Sequence, residues 1–348
     1  MKAFKDTNII SAIGNTPIIR LPNIARHIDS EIYVKLEMLN PGGSTKDRMG
    51  VFMIEQAVKK GELKPAGTIV ECTSGNTGIG ILLYANMHGY KCVFVMADKQ
   101  SVEKIDALRA YGAKVIVCPT NVEPKDPRSY YSVAAALAKL PNSYFVNQYD
   151  NEFNRQCHYE QTGPEIYAQT GGEFDTFIAP VGTGGTISGI GKYLKEKMKD
   201  VKIIGVDCEG SILKEFHETG KMGDAHSYAL EGIGEDFIPK NVRMDVIDQF
   251  LMVGDEESFH YTRKLLKEEC VYTGGSAGAA VMAAVKYAEK LEKPERILIL
   301  LHDHGSKYAG KIYNDEWMLS KGYKIENSSD ELDKNILEII GDNGKLVS

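Results

Sequence analysis

Short runs of apolar and β-branched residues alternate along the chain with longer stretches whose apolar positions recur at helical spacing. The short runs are Thr68 to Cys72, Cys92 to Ala97, Lys114 to Cys118, Thr176 to Val181, Lys202 to Asp207 and Arg296 to Leu301. Runs of that kind predict strands of parallel sheets buried on both faces by crossover helices. The periodic stretches predict helices at about Asp47 to Lys60, Gly75 to His88, Val102 to Tyr111, Ser129 to Leu140, Gly185 to Met198, Glu257 to Glu268 and Ser276 to Leu291. Gly61, Gly89 and Gly112 fall where a left-handed residue closes the preceding helix. The alternation is that of an α/β protein with two doubly wound lobes built on parallel sheets. Ligands of such sheets bind beyond the carboxyl ends of the strands, where the next helix begins.

A length of 348 residues fits roughly two domains. Hydrophobic residues at 43% and charged residues at 26% match globular proteins and exclude a disordered or fibrous chain. The net charge of -7 leaves no basic surplus for a phosphate backbone, so no nucleic-acid partner is expected. The basic residues between Lys195 and Lys199 alternate with an acid and read as a solvated helix face. Met1 to Asp6 lacks the apolar core of a secretion signal, and no apolar run approaches the roughly 18 residues needed to cross a bilayer. A cytoplasmic protein without a membrane partner is expected. The cysteines, Cys72, Cys92, Cys118, Cys157, Cys208 and Cys270, are scattered without Cys-x-x-Cys spacing, which suits reduced, mostly buried thiols. Cys72, against the Thr73-Ser74 turn, is the one to watch for reactivity.

Lys46 lies in Pro41-Gly42-Gly43-Ser44-Thr45-Lys46-Asp47-Arg48, a glycine-rich turn directly before an amphipathic stretch. A lysine held there presents an amine suited to trapping a carbonyl, and burial would lower its pKa and make it a proton carrier too. Three further turns are Thr73-Ser74-Gly75-Asn76-Thr77-Gly78, Gly182-Thr183-Gly184-Gly185-Thr186 and Gly274-Gly275-Ser276-Ala277-Gly278. Each alone is an ordinary turn signal. Together with Lys46 they point to one anionic, aldehyde-bearing cofactor, pyridoxal 5'-phosphate.

Gly182 to Thr186 lacks dinucleotide spacing and a phosphate-loop lysine, leaving N–H groups and two hydroxyls at a helix start to hold a monoester phosphate. Asn76 offers an amide for the ring hydroxyl while neighbouring donors take a substrate carboxylate. Ser276 reads either as a helix N-cap or as a hydroxyl facing the ring nitrogen. Unlike an aspartate, a serine cannot hold the pyridine protonated, and the weaker electron sink favours β-elimination over transamination or racemisation. His302-Asp303-His304 has no third cluster with which to form a metal site, so no metal is expected. Gly305 to Lys311 is similar to a Walker loop only until Ile312 replaces the required hydroxyl residue.

With these residues in hand, the chain resembles the fold-type II pyridoxal phosphate enzymes, most closely the cystathionine β-synthase and cysteine synthase branch. The resemblance runs from about Asn8 to Tyr323. It rests on Ile13-Gly14-Asn15-Thr16-Pro17, Lys35-Leu36-Glu37, the Lys46 and Asn76 turns, Tyr159-Glu160-Gln161-Thr162-Gly163-Pro164-Glu165-Ile166 and the Gly182 turn. It implies that Lys46 carries the cofactor, Asn76 contacts its ring hydroxyl, Gly182, Thr183, Gly184, Gly185 and Thr186 hold its phosphate, and Ser276 meets its ring nitrogen. It further implies that Thr73, Ser74, Thr77 and Gln148, with Asn76, Tyr149 and Gly232, bind the substrate.

Within the branch, Asp207 to Leu213, Glu231 to Pro239, Trp317 to Tyr323 and the Tyr149 after Gln148 lean toward cystathionine β-synthases. Departures from the family pattern are Gln100, where methionine is usual, and His302-Asp303-His304, where Pro-Asp-Ser is usual. No haem-binding extension precedes Met1, so haem is not expected. The implied reaction is β-replacement on L-serine, or an activated serine, by a thiol, homocysteine first. Cysteine synthesis from O-acetylserine and sulfide, or a cysteine-consuming, hydrogen sulfide-releasing variant, are the alternatives. Serine's hydroxide needs a proton to leave, and Glu231 is the residue expected to assist it. The expected layout is a smaller mobile domain at 1–12 and 35–147, a larger cofactor-binding domain at 13–34 and 148–325, and a tail at 326–348 that is either a docked helix or the stub of a regulatory domain. A homodimer is expected by family analogy.

Overall fold

The computed structural model describes residues 7–123 and 125–325, and the tail expected at 326–348 lies outside them. The chain opens with β1 (Ile18–Arg20) and β2 (Glu31–Leu36), then alternates through α1 (Lys46–Lys59), β3 (Thr68–Cys72), α2 (Asn76–His88), β4 (Lys91–Ala97), α3 (Val102–Ala110), β5 (Lys114–Cys118), α4 (Tyr130–Leu137) and β6 (Ser143–Phe145). It continues through α5 (Glu152–Cys157), α6 (Gly163–Thr170), β7 (Thr176–Pro180), α7 (Gly185–Lys197), β8 (Lys202–Cys208), α8 (Leu213–Thr219), β9 (Gln249–Val253), α9 (Asp255–Glu269), α10 (Gly275–Ala288), β10 (Arg296–Leu301) and α11 (Asp315–Ser320).

The strands form two sheets, one of six strands in the order β1-β2-β10-β7-β8-β9 and one of four in the order β5-β4-β3-β6. All pairings are parallel except β1 with β2. The expected strands are thus parallel, and β7 is fully buried, but β5 forms a sheet edge and, against expectation, is mostly exposed or half-buried. Successive side chains of a strand point to opposite faces. In the smaller sheet Ile69 and Phe94 accordingly pack with α1 and α2, while Val70 and Val95 pack against Ala134 of α4.

Helices α1 and α2 meet backbone to backbone. A Cβ placed on Gly80 would stand 2.3 Å from the Lys46 carbonyl oxygen, and one on Gly50 would stand 2.5 Å from the Gly80 carbonyl carbon. This contact sets the height of Lys46 over the smaller sheet. Gly80→Ala is expected to cost about 1–3 kcal/mol, the usual penalty of overpacking, and to weaken cofactor retention. Urea unfolding and cofactor titration of the variant check both.

Four strands were not foreseen. β6 is three residues long, β1 and β9 are short edges, and β2 carries charge where a strand core should be apolar. Lys35 in β2 is fully buried, its ammonium donating to Glu165 Oε1 at 2.6 Å, Gln169 Oε1 at 2.8 Å and the Thr16 carbonyl at 3.0 Å. Lys35 and Leu36 pair with Leu300 and Leu301 of β10. They therefore complete the six-stranded sheet, and the expected domain boundary between 34 and 35 falls too early.

Candidate active site

A cleft of about 350 Å³ opens between the two sheets. The chain enters it at the carboxyl ends of β3, β7 and β10, each followed by a helix start or a tight turn. Lys46 is the first residue of α1 and lines this cleft. The loop before it is zipped to the segment after β10. Thr45 N–H donates to the His302 carbonyl at 2.9 Å, and His304 N–H donates to the Gly43 carbonyl at 3.1 Å. Burial lowers the Lys46 ammonium to about 8, against the opposing pull of Asp303 and Glu235. A free amine is the form that attacks an aldehyde. Cofactor uptake by the apoprotein is therefore expected to speed up about tenfold per pH unit below pH 8 and level off above it. Stopped-flow absorbance across that range checks this.

The Thr73 to Gly78 turn leads from β3 into α2, with Gly75 at φ +119°. Asn76, first in the helix, donates from Nδ2 to Asp303 Oδ2 at 2.7 Å and accepts on Oδ1 from Lys307 Nζ at 2.7 Å. Its amide is thereby fixed, with the second Nδ2 hydrogen unassigned. Thr73 Oγ1 accepts from Gly75 N–H at 2.9 Å, and Thr77 donates to Gln148 Oε1 at 2.6 Å. Gln148, expected as a carboxylate ligand, donates from Nε2 to the Cys72 carbonyl at 2.8 Å and reaches Glu71 at 3.5 Å. Its amide braces the turn. The donors that remain for an anion are the Thr73 and Ser74 hydroxyls and the first-turn N–H groups of α2, which a helix always leaves unpaired.

Gly182 to Thr186 connects β7 to α7. Gly184 has φ +81°, and a Cβ on it would stand 2.2 Å from Val242 Cγ2. The turn is held from behind. Asn154 Nδ2 donates to Thr183 Oγ1 at 3.1 Å, and His158 Nε2 lies 3.2 Å from Thr186 Oγ1. His158 sits in a π-helical segment, His158–Thr162, and burial, then the Lys46 and Arg48 charges, hold its imidazole neutral. Gly182 and Thr183 face the cleft; Gly184, Gly185 and Thr186 complete the entry into α7. Ser276 is the second residue of α10, buried, and lines the cleft. The cap position belongs to Gly274, which leaves the Ser276 hydroxyl to the cleft.

These residues fit pyridoxal phosphate. The cleft offers a low-pKa amine, a glycine cradle at a helix start for the phosphate, and a neutral hydroxyl rather than a carboxylate at the start of α10. Asp303 Oδ1 is buried without a partner among the described residues, beside this end of the cleft.

Two expectations are corrected. Glu231, expected as an acid, is presented by the structure as an ionised carboxylate. Lys104 Nζ donates to its Oε2 at 2.5 Å and Lys311 Nζ to its Oε1 at 2.7 Å. Burial would raise its carboxyl, but the two lysine charges outweigh burial and hold it below the usual carboxylate range. Cys72 is not a reactive thiol, because burial and then the Glu71 charge push it well up. Tyr149 sits among aromatics, its ring 5.1 Å from that of Phe237, and Gly232 stands at φ +77° on the cleft wall. Lys104, Asp303, Lys307 and Tyr308 were missed. Lys104 donates to Tyr308 OH at 3.1 Å and Tyr308 donates to Asp303 Oδ2 at 2.7 Å, a chain visible only once the lobes are brought together. Local sequence carries no sign of it, since Lys104 lies 204 positions from Tyr308.

Fold and site together are those of a two-lobed α/β enzyme whose cleft, with a buried lysine at a helix start, suits a phosphate-bearing aldehyde cofactor. A family model described as pyridoxal-phosphate dependent enzyme matches residues 9–303, and the chain belongs to that family. It is 44% identical over 325 residues to a cystathionine β-synthase of Mus musculus, covering 92% of this chain but 58% of that one. The chain therefore spans under two thirds of the length of this relative. Identity to cysteine synthase 1 of Emericella nidulans is 41% over 322 residues, covering 91% of this chain and 87% of that one. The crystal structure of an O-acetylserine-dependent cystathionine β-synthase from Helicobacter pylori superposes with a TM-score of 0.80 at 39% identity, covering 88% of this chain and 99% of that one. No helix among the described residues is long and apolar enough to cross a membrane.

Proposed function

We propose that this chain catalyses pyridoxal phosphate-dependent β-replacement on L-serine or an activated serine by a thiol, with serine plus homocysteine as the leading pair. The observation that carries this reading is the Lys46 amine, lowered to about 8, in one cleft with two glycine-bearing helix starts and a neutral serine. When bound, pyridoxal phosphate supplies the electron sink that lets a proton leave the amino acid's Cα. Lys46 anchors the cofactor, takes that proton on Nζ and can pass it to the departing β-oxygen of serine, so that water leaves as the Cβ–O bond breaks, whereas acetate leaves unaided. The proton released as the thiol sulfur joins the β-carbon then returns through Nζ to Cα. Asn76 binds the ring hydroxyl, Gly182 to Thr186 the phosphate, and Ser276 the ring nitrogen. Thr73, Ser74 and Thr77 receive the substrate carboxylate, and Gln148 serves it by bracing their turn. Tyr149 and Gly232 shape the wall beyond the β-carbon.

Similarity to a cysteine synthase and to an O-acetylserine-dependent cystathionine β-synthase favours a second reading, with acetate as the leaving group. Steady-state rates with serine plus homocysteine against O-acetylserine plus sulfide separate the two. A strong preference for the latter pair refutes the first reading.

Glu231 acts by holding Lys104 and Lys311 across the cleft. Glu231→Gln is therefore expected to reduce turnover of serine and of O-acetylserine by the same factor. A loss confined to serine would restore its role as proton donor. We further propose a homodimer in the cytoplasm, and movement of the four-stranded lobe over the cleft during turnover.

A further inference from the structure

Glu235 lines the cleft and has no part in the assignments above. Its backbone is fixed on both sides. The N–H donates to Ser211 Oγ at 2.9 Å, and the carbonyl accepts from Ile212 N–H and from the Ser211 hydroxyl, both at 3.1 Å. Its carboxylate points inward, Oε1 lying 3.7 Å from where a Cβ on Gly182 would stand. No cation among the described residues comes within salt-bridge distance of it. The charges that reach it are Asp236 and Asp207 of like sign, and Lys99 and Lys46 of opposite sign. Lys99 is turned aside, its Nζ 5.2 Å from the Tyr228 ring centroid. Burial first, then Asp236, push the carboxyl up to about 8, with Lys99 and Lys46 opposing. A fixed carboxylate that faces a binding cleft and lacks a protein counter-ion is matched by a cationic group on a ligand.

The reaction brings two substrates, and the proposed machinery already accounts for the polar groups of the first. Its amino group reacts at the cofactor and its carboxylate goes to the start of α2. The thiol arrives second, when those groups are already taken.

We propose that Glu235 receives the α-ammonium group of the incoming thiol, which makes the second substrate an amino-acid thiol rather than sulfide. This rests on the β-replacement reading. An ammonium gains a charge-assisted hydrogen bond and stabilises the ionised form of Glu235, whereas hydrosulfide, an anion, gains nothing from a carboxyl that burial otherwise holds protonated. A general base at this position would serve every thiol alike, so selectivity for the amino group is the distinguishing mark.

The test compares homocysteine with 4-mercaptobutyrate, which keeps the thiol, chain and carboxylate and lacks the ammonium. In the native holoenzyme KM for homocysteine is expected to be about tenfold to hundredfold lower than for 4-mercaptobutyrate, the range for one charge-assisted hydrogen bond. Glu235→Gln should erase that ratio, and Glu235→Asp should keep part of it. A native enzyme that does not discriminate, or a Glu235→Gln variant that keeps the native ratio, overturns the assignment. The β-replacement reading is tested apart from this by the absorbance response of the native holoenzyme to serine or O-acetylserine alone. A response without thiol discrimination removes the role of Glu235 and leaves the reaction standing. No response removes the reaction itself.

Discussion

Lys46→Ala is expected to reduce β-replacement by roughly 10³-fold or more, because one amine serves as both cofactor anchor and proton carrier. The protein should still fold. Lys46 makes no side-chain ion pair among the described residues, so removing it leaves no orphaned partner. The cleft should still bind pyridoxal phosphate through the turns at Gly182 and Asn76, but reversibly, so that dialysis strips it from the variant and not from the native protein. Lys46→Arg keeps the charge and loses the nucleophile, and should behave like alanine. A variant that keeps both the cofactor through dialysis and most of the activity would mean that another lysine does this work.

Arg48→Met is expected to cost about 3–5 kcal/mol of stability, the usual loss when one member of a buried ion pair is removed. Arg48 is 3% exposed. It donates from Nε and Nη2 to Glu37 at 2.7 and 2.8 Å, and from Nη1 and Nη2 to Glu165 at 2.8 and 2.9 Å. The arginine belongs to α1, Glu165 to α6, and Glu37 to the turn after β2, so one guanidinium joins both lobes two residues from Lys46. Burial would raise the Glu37 carboxyl, but the Arg48 charge and hydrogen bonds, with help from Thr16 and Lys35, hold it down to about 2. A depressed carboxylate pKa contributes stability that is full above the unfolded value of 4.5 and lost as pH falls toward about 2. The native protein should therefore lose stability across that window, and Arg48→Met should show a shallower dependence there. Urea melts at pH 7, pH 4 and pH 2.5 measure both effects. A cost below about 1 kcal/mol at pH 7 would place this network among the inert pairs of the surface.

The strands of the two parallel sheets were legible where short apolar, β-branched runs announce them locally, even at the half-exposed edge strand β5. Thr68 to Cys72, Lys114 to Cys118 and Arg296 to Leu301 have the same bounds in sequence and structure. β2 was hidden because Lys35 looks solvated until Glu165, 130 positions away, is seen beside it. The turns carrying Lys46, Asn76, Gly182 and Ser276 were legible as turns, since glycine and hydroxyl residues announce a helix start. The state of the site was not legible. Glu231 reads as an acid in sequence and becomes one corner of an ion triplet only when α3 brings Lys104 to it and the segment after β10 brings Lys311. Gln148 reads as a free amide, yet the Cys72 carbonyl and Thr77 hydroxyl occupy it. Local chemistry survives translation into three dimensions where a residue acts through its own turn, and fails where its partner comes from the other lobe.

Borohydride reduction of the pyridoxal phosphate-loaded protein, followed by peptide mass analysis, tests the central claim most directly. The reduced pyridoxyl phosphate should be found on the peptide containing Lys46 and on no other. Its absence there, or its appearance on a different lysine, contradicts the assignment.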